Sequence, residues 1–163
     1  MERLRALFEE LGFGNVRSYI QSGNVFFETK AKDRNALTRK IEGRLEAALG
    51  FEVAVFVRTI DEIDAALKRD PFRAVRIAPE VRLCTIFVSQ PLPPGVKLPL
   101  VSPKGDVEIL DATAGEVFAV TRFEPGRAGN PGAFIEKTFG GKATTRFFAT
   151  LAKIAAAARA EER

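Results

Sequence analysis

The fold is decided first by a stretch near the N-terminus, Arg17-Ser-Tyr-Ile-Gln-Ser-Gly-Asn-Val-Phe-Phe27. The segments 16–20 and 24–28 have the β-branched and aromatic composition of strands, and Gln21-Ser22-Gly23 between them suits a tight turn. The stretch therefore predicts a β-hairpin. Its turn carries several side-chain donors and acceptors, which makes it the first place to look for a binding site.

Helices flank this hairpin on both sides. An amphipathic helix precedes it, and a second helix follows from a cap at Asp33 to a stop at Gly50. The pattern Thr59-x-x-Glu62 is a capping box that begins a third helix. Between the last two helices, the continuous apolar run Val53–Val57 predicts a buried central strand.

The second half of the chain alternates strands and helices less regularly. It begins with a predicted strand, 82–89, and continues into a hairpin centred on Ala114-Gly115. Asn130-Pro131 suits the cap and first position of a helix. Thr144 or Thr145 can cap a last helix that runs towards the C-terminus.

This order, α-β-β-α-β followed by α-β-β-β-α-α, predicts an α+β protein whose sheets are covered by helices. One further strand before Met1 would give the first part the order of a ferredoxin-like split βαβ lobe. We therefore expect a ferredoxin-like lobe that lacks its first strand over residues 1–70. A second α+β lobe with two C-terminal helices is expected over residues 71–163, and the two can also form one compact unit.

Absences in the composition exclude several kinds of chemistry. The chain has 163 residues, no His and one Cys, Cys84. Catalytic His pairs, disulfide frameworks and Cys- or His-based metal sites within one chain are therefore excluded, and we expect no metal and no cofactor. A single cysteine without a signal-peptide pattern indicates the cytoplasm, and no apolar run approaches the ~20 residues of a membrane helix. The net charge of +4 permits an anionic partner without implying one.

Two motifs carry a resemblance to a known family. Tyr19-Ile-Gln-Ser-Gly-Asn-Val-Phe-Phe27 follows a Leu-rich helix and Gly-Phe-x-x-Val-Arg, and Lys142-Ala-Thr-Thr-Arg146 lies near the C-terminus. Both motifs, at this spacing, resemble the bacterial family called domain of unknown function 1697. The resemblance spans essentially the whole chain. It implies a pair of ferredoxin-like lobes and no particular activity.

The chain departs from the family pattern at two places. Family members usually open with a strand and a Gly-rich segment, and this chain begins after them. Because an absent central strand leaves backbone groups unpaired, we expect neighbouring strands to pair directly or a second chain to fill the gap, which makes a homodimer a possible partner state. Relatives often follow Thr-Arg with Asn-Trp-Asn, whereas this chain has Phe147-Phe148-Ala149. Any ligand that those polar groups hold in relatives would be lost or altered here.

The first candidate binding site is the hairpin. Arg17, Tyr19 and Gln21 alternate along one predicted strand face, next to Ser22 and Asn24 in the turn. A guanidinium, a phenol and an amide side by side can hold a carboxylate, a phosphate or a base edge. The alternative is that Ser22, Gly23 and Asn24 only form the turn.

The second candidate site joins a glycine-rich loop, 126–132, to the second motif. A loop that leads into a helix can aim backbone N–H groups at an anion, and two cationic side chains would add charge. The alternative is a plain connection with threonine caps. The segment is not a P-loop, because Glu136 replaces its first Gly and Ala143 its Ser/Thr. The candidate residues are Arg127, Asn130, Lys142, Thr144, Thr145 and Arg146.

Three weaker candidates remain. Glu108 and Asp111 are an acid/base or Mg²⁺ candidate, but their spacing of three on a strand places them on opposite faces. Cys84 lies in an apolar strand and is expected to be an inert core thiol. Phe26 or Phe27 can stack a base, as sheet aromatics do in RNA-recognition lobes.

These features support a hypothesis and leave others open. The leading one is a cytosolic α+β module that binds a small anionic or nucleotide-like ligand through the two candidate sites. The alternatives are a nucleic-acid-binding protein, a His-independent enzyme of unidentified reaction, and a structural or assembly protein whose sheet a partner chain completes. No membrane partner is expected.

Overall fold

The computed structural model of the chain describes residues 1–20 and 22–160. It confirms the predicted α+β class, with antiparallel sheets and five helices among these residues. No helix among them is long and apolar enough to cross a membrane. The elements are α1 Glu2–Glu10, β1 Gly14–Tyr19, β2 Asn24–Glu28, α2 Arg34–Leu49, α3 Ile60–Lys68, β3 Val81–Val88, β4 Leu100–Val101, β5 Val107–Ala112, β6 Glu116–Glu124, β7 Arg127–Ala128, α4 Pro131–Phe139, β8 Ala143–Phe147 and α5 Phe148–Arg159.

The chain divides into two compact units. Unit 1 comprises residues 1–58 and 156–163, and unit 2 comprises residues 59–155. The division into lobes at 1–70 and 71–163 stays a prediction. Each unit is described by itself below.

Unit 1 is built on the predicted hairpin. β1 and β2 pair antiparallel, with Tyr19 opposite Asn24 and Arg17 opposite Phe26. α1 and α2 pack with the pair, and the core is formed by buried apolar residues of the two helices and of the turn between α1 and β1. That core comprises Leu7, Phe8, Phe13, Leu37, Ile41 and Leu45.

The ends of α2 follow the predicted capping chemistry. The Asp33 carboxylate accepts a hydrogen bond from the N–H of Ala36 at 3.0 Å, which satisfies one of the N–H groups that a helix start leaves unpaired. Gly50 ends the helix in the left-handed conformation, with φ of 81°.

The prediction of a central strand at Val53–Val57 is wrong. Among the described residues, this segment belongs to no strand, and it pairs neither with β1 nor with β2. Val53, Val55 and Val57 nevertheless pack against the core of unit 1. Apolar composition drove the segment onto the core, but a strand also needs a hydrogen-bonding neighbour, which the composition cannot supply. Direct pairing of neighbouring strands, one of the two expected outcomes, is therefore not observed.

Unit 2 contains a sheet with strand order β4-β5-β6-β3-β8, and β7 pairs with β6. All of its pairings are antiparallel, and β3 lies between β6 and β8. The ferredoxin-like assignment itself stays a prediction. The core on the α4 face includes Ile86, Ile109, Val117 and Ile135, each at most 2% exposed.

Three local predictions in unit 2 are confirmed. The capping box holds, because Thr59 Oγ1 accepts from the N–H of Glu62 while the Glu62 carboxylate accepts from the N–H of Thr59. The hairpin around Ala114-Gly115 forms between β5 and β6. Asn130 caps α4 with Pro131 in its first turn.

The prediction that Thr144 or Thr145 caps the last helix is wrong. Both lie in β8, opposite Phe87 and Ile86 of β3, and α5 begins only at Phe148. β-branched threonines fit a pleated strand well, and β3 offers an open neighbour. Pairing with β3 therefore outweighed the preference of threonine for a helix N-cap.

Candidate functional site

Arg17 on β1 is held by the C-terminal end of α5. Its guanidinium donates to the carbonyls of Ala157 at 3.2 Å, Ala158 at 2.8 Å and Ala160 at 2.8 Å. The same group lies over the ring of Phe26, with Cζ 5.6 Å from the ring centroid. The last carbonyls of a helix lack partners within the helix and carry partial negative charge, so Arg17 caps α5.

The tip of the hairpin is organised by Asn24. Its Nδ2 donates to the carbonyl of Tyr19 at 3.2 Å and to Oγ of Ser22 at 2.8 Å. Gly23 has φ of 78°, which glycine adopts without steric cost. These contacts stabilise the turn. Gln21, also a predicted binding residue, lies outside the described residues.

Three residues of the second predicted cluster, Thr144, Thr145 and Arg146, lie on β8, where strand alternation divides them. Thr144 and Arg146 lie on one face, where Arg146 Nη1 donates to Thr144 Oγ1 at 3.0 Å. Thr145 lies on the opposite face, towards α4. Lys142 is exposed just before the strand, and its N–H donates to Oγ of Ser89 at 2.8 Å. The six predicted residues therefore do not form one site.

Asn130 and Thr145 do converge, at the start of α4. Asn130 Oδ1 accepts from the N–H of Ala133 at 3.0 Å. A Cβ atom placed on Gly132 would lie 3.1 Å from Thr145 Oγ1 and 3.6 Å from Asn130 Oδ1. The small residue at position 132 therefore lets the helix start approach β8 closely.

The outer edge of β8 is covered by two side chains. In the β3–β8 register, the backbone groups of Ala143 and Thr145 point away from β3. The carboxylate of Glu136 accepts from the N–H of Ala143 at 2.8 Å, and Arg146 Nη1 donates to the carbonyl of Thr145 at 2.9 Å. Occupied edge groups discourage pairing with another chain.

Arg146 and Thr85 lie directly opposite each other across β8 and β3. Burial lowers the pKa of the Arg146 guanidinium, which means that its positive charge is less stable here than in water. Thr85 is fully buried, and its Oγ1 has no hydrogen-bond partner among the described residues. Leaving a buried hydroxyl unsatisfied costs about 1–3 kcal/mol. The residue with the partly buried cation and the residue with the unsatisfied hydroxyl are therefore neighbours across the two strands.

Sequence analysis did not single out Thr85. The available signal was that Thr85 interrupts the apolar run 83–88. Its position opposite Arg146 follows only from the strand register, and sequence does not determine which strand becomes the neighbour of β3.

Glu108 and Asp111, the acid/base or Mg²⁺ candidate, each lie beside an arginine. Arg69 forms an ion pair with Asp111, and the hydrogen bond from Arg69 lowers the pKa of the Asp111 carboxyl. The Glu108 carboxylate lies 4.0 Å from the guanidinium of Arg122. The two carboxylates thus have different arginine partners. Arg127 is exposed on β7.

Cys84 and Phe27 lie in apolar surroundings. Cys84 is 2% exposed, and burial raises the pKa of its thiol, as expected for a core cysteine. The ring of Phe27 stacks on Phe13 with a centroid separation of 4.6 Å and contacts Phe8 at 5.3 Å. Phe27 is therefore engaged in the aromatic packing of unit 1.

Comparisons with known proteins agree with the fold and add a family. No match was found among proteins of curated function. The chain is similar to the solved structure of conserved bacterial protein SP0830 from Streptococcus pneumoniae, with a TM-score of 0.66 and 20% identity over 98% of this chain and 89% of that chain. At this identity the likeness shows the fold alone. A family profile described as "Protein of unknown function (DUF1697)" matches residues 1–118, which include the hairpin motif but not the second motif. The chain therefore belongs to the DUF1697 family of proteins of unknown function.

Proposed function

We propose that the protein binds a small anionic or nucleotide-like ligand in unit 2, on the face of β8 that carries Arg146. The observation that supports this is the pair formed by the partly buried Arg146 guanidinium and the unsatisfied hydroxyl of Thr85 opposite it. An oxyanion on this face would accept a charge-assisted hydrogen bond from the Arg146 guanidinium, and one that displaces the side chains covering Thr85 would also satisfy its buried hydroxyl. Thr144 Oγ1, which already contacts Arg146, supplies a further polar atom at this place.

The first hairpin supports the proposal less. Nη1 and Nη2 of Arg17 donate to the end of α5, its buried Nε has no hydrogen-bond partner among the described residues, and the amide of Asn24 stabilises its own turn. A ligand at Arg17 would have to replace carbonyl groups that already complement the cation. We therefore place the ligand at Arg146 and assign the hairpin a structural role in this proposal.

Lys142 would attract an anionic ligand without contacting it. It is exposed immediately before β8, and Arg146 is the fourth residue of that strand, about 13 Å further along, so the two positive charges lie towards opposite ends of β8. Exposed charges act mainly by attracting a ligand over about a Debye length, ~8 Å at physiological ionic strength. We expect Lys142 to affect the rate of association more than the affinity.

The test is a thermal-shift panel on three proteins: wild type, Arg146→Gln and Arg122→Gln. Arg122 is an exposed arginine of unit 2, so its variant removes the same charge elsewhere. The panel contains inorganic phosphate, pyrophosphate, a dicarboxylate, a tricarboxylate and mononucleotides. A ligand that binds the native state stabilises it by RT ln(1 + [L]/Kd). We expect wild type and Arg122→Gln to gain stability with at least one anion and Arg146→Gln to lose that gain.

Two results would overturn the proposal. One is that no member of the panel raises the melting temperature of wild type. The other is a response that survives Arg146→Gln unchanged. Nucleic-acid binding, the alternative class, predicts instead association with oligonucleotides that weakens steeply with added salt, because phosphate contacts release counterions. A gel-shift series at two salt concentrations separates the two classes.

A further inference from the structure

The segment Val53–Val57 of unit 1 combines strand-like packing with an incomplete set of backbone hydrogen bonds. Its three valines contact the core of the unit, whereas Ala54 between them is exposed. Side chains that alternate between core and solvent are typical of an extended backbone. The segment therefore has the form of a strand although it has no described strand partner.

The two sides of this extended segment differ. In an extended chain, the backbone groups of residues 53, 55 and 57 point to one side, and those of 54 and 56 point to the other. On the first side, Glu42 accepts from the N–H of Val55 at 2.9 Å and Arg58 Nη1 donates to the carbonyl of Val57 at 2.7 Å. On the second side, Ala54 and Phe56 make no backbone hydrogen bond among the described residues.

We propose that a second copy of this chain pairs with the second side, antiparallel, about a two-fold axis at Val55. In that register Ala54 of each copy lies opposite Phe56 of the other, and the two residues exchange both backbone hydrogen bonds. Val55 lies opposite its own copy in a non-hydrogen-bonded pair. A two-fold interface requires such self-complementarity, and the unpaired backbone groups of Ala54 and Phe56 provide it.

The charges at the ends of the segment favour this register over a shifted one. Glu52 precedes the segment and Arg58 follows it, so antiparallel pairing about Val55 places the backbone of each Glu52 opposite that of the other copy's Arg58, whose guanidinium lies beside the Val57 carbonyl. Opposite charges directly across two strands are favourable, whereas like charges are unfavourable. No charged residue lies between them, so no like-charge contact opposes the pairing.

An exposed aromatic residue adds apolar area beside the proposed seam. Phe51 is 61% exposed and lies next to Glu52. Burying part of that ring against the second copy would be favourable. The proposed dimer uses unit 1 alone, so it does not depend on the ligand site proposed in unit 2.

The test is disulfide trapping of full-length Val55→Cys, with Val53→Cys as the matched control. In the proposed register the Cα atoms of residue 55 in the two copies are about 4.5 Å apart, within the range for a disulfide. The Cα atoms of residue 53 are about 13 Å apart, because four residues separate them along the strands. Cys84 is buried in both variants and serves as a common background. We expect mild oxidation to give a covalent dimer of Val55→Cys and not of Val53→Cys.

Sedimentation of the unmodified chain gives an independent readout. We expect a concentration-dependent dimer that Ala54→Pro weakens at least tenfold, since proline removes a backbone donor on the pairing side at an exposed position. A wild-type monomer at all accessible concentrations would overturn the proposal. So would a dimer that Ala54→Pro leaves intact, or equal cross-linking at positions 53 and 55. Circular dichroism of each variant confirms that it is folded.

Discussion

Replacing Arg17 by methionine is the sharpest test of how unit 1 holds the end of α5. The guanidinium makes three hydrogen bonds to carbonyls at that helix end and lies over the ring of Phe26. Hydrogen bonds to a charged group contribute up to about 1.5–3 kcal/mol each. Because the Arg17 side chain is partly exposed, we use about 1 kcal/mol for each of its three bonds. The cation–π contact adds about 0.5 kcal/mol. We expect Arg17→Met, which removes three such hydrogen bonds and the ring contact, to lower the free energy of unfolding by about 3.5 kcal/mol.

The measurement is urea unfolding of unit 1 together with amide hydrogen exchange along α5. Loss of the cap should remove protection from the last turn of α5 and leave β3 and β6 of unit 2 protected. Arg17→Lys should recover about 0.5–1 kcal/mol, because it keeps a positive charge at the negative end of the helix. Arg39→Met, which removes an exposed arginine of α2, should change stability by less than about 0.5 kcal/mol. The reasoning is refuted if Arg17→Met behaves like Arg39→Met.

Three further predictions follow from individual contacts. Thr85→Val should raise the free energy of unfolding by about 1 kcal/mol in a denaturation series without ligand, because it removes a buried hydroxyl that lacks a described partner; a loss of stability would contradict this. Arg69→Gln should cost about 0.5–1 kcal/mol at pH 7, since the pair with Asp111 is partly exposed. Because Arg69 lowers the pKa of Asp111 in the folded state, that difference should be full above pH ~4 and vanish as the pH falls further; a pH-independent difference in acid-titrated melts would exclude the ion pair as its cause. Cys84 should react with an aromatic disulfide reagent only at the rate of unfolding, because burial both covers the thiol and raises its pKa; rapid labelling of the native protein would contradict its placement.

Elements whose signals are local were predictable. The hairpin depends on turn residues that lie next to its strands, and α2, α3 and α4 depend on caps within four residues of their starts. Such interactions join residues that are close in sequence, so they can be inferred from the sequence alone. The family motif in the first hairpin added specificity, and the match over residues 1–118 confirms it.

The candidate site was less predictable, because its residues come together only across strands. Arg146 was identified from its motif, but Thr85 was not, and Thr144 and Thr145 proved to face opposite sides of β8. Arg17 was identified as a polar residue on a strand face. Its contacts with α5, some 140 positions away along the chain, could not be inferred from spacing.

The sequence by itself determined the α+β class, the excluded chemistries and the ends of most helices, because composition and caps act locally. Tertiary structure alone decided that Val53–Val57 lacks a described strand partner and that Thr144 and Thr145 lie in a strand. Whether an apolar or β-branched segment becomes a strand depends on which backbone lies beside it. That neighbour is set by packing between distant parts of the chain, and no local pattern records it.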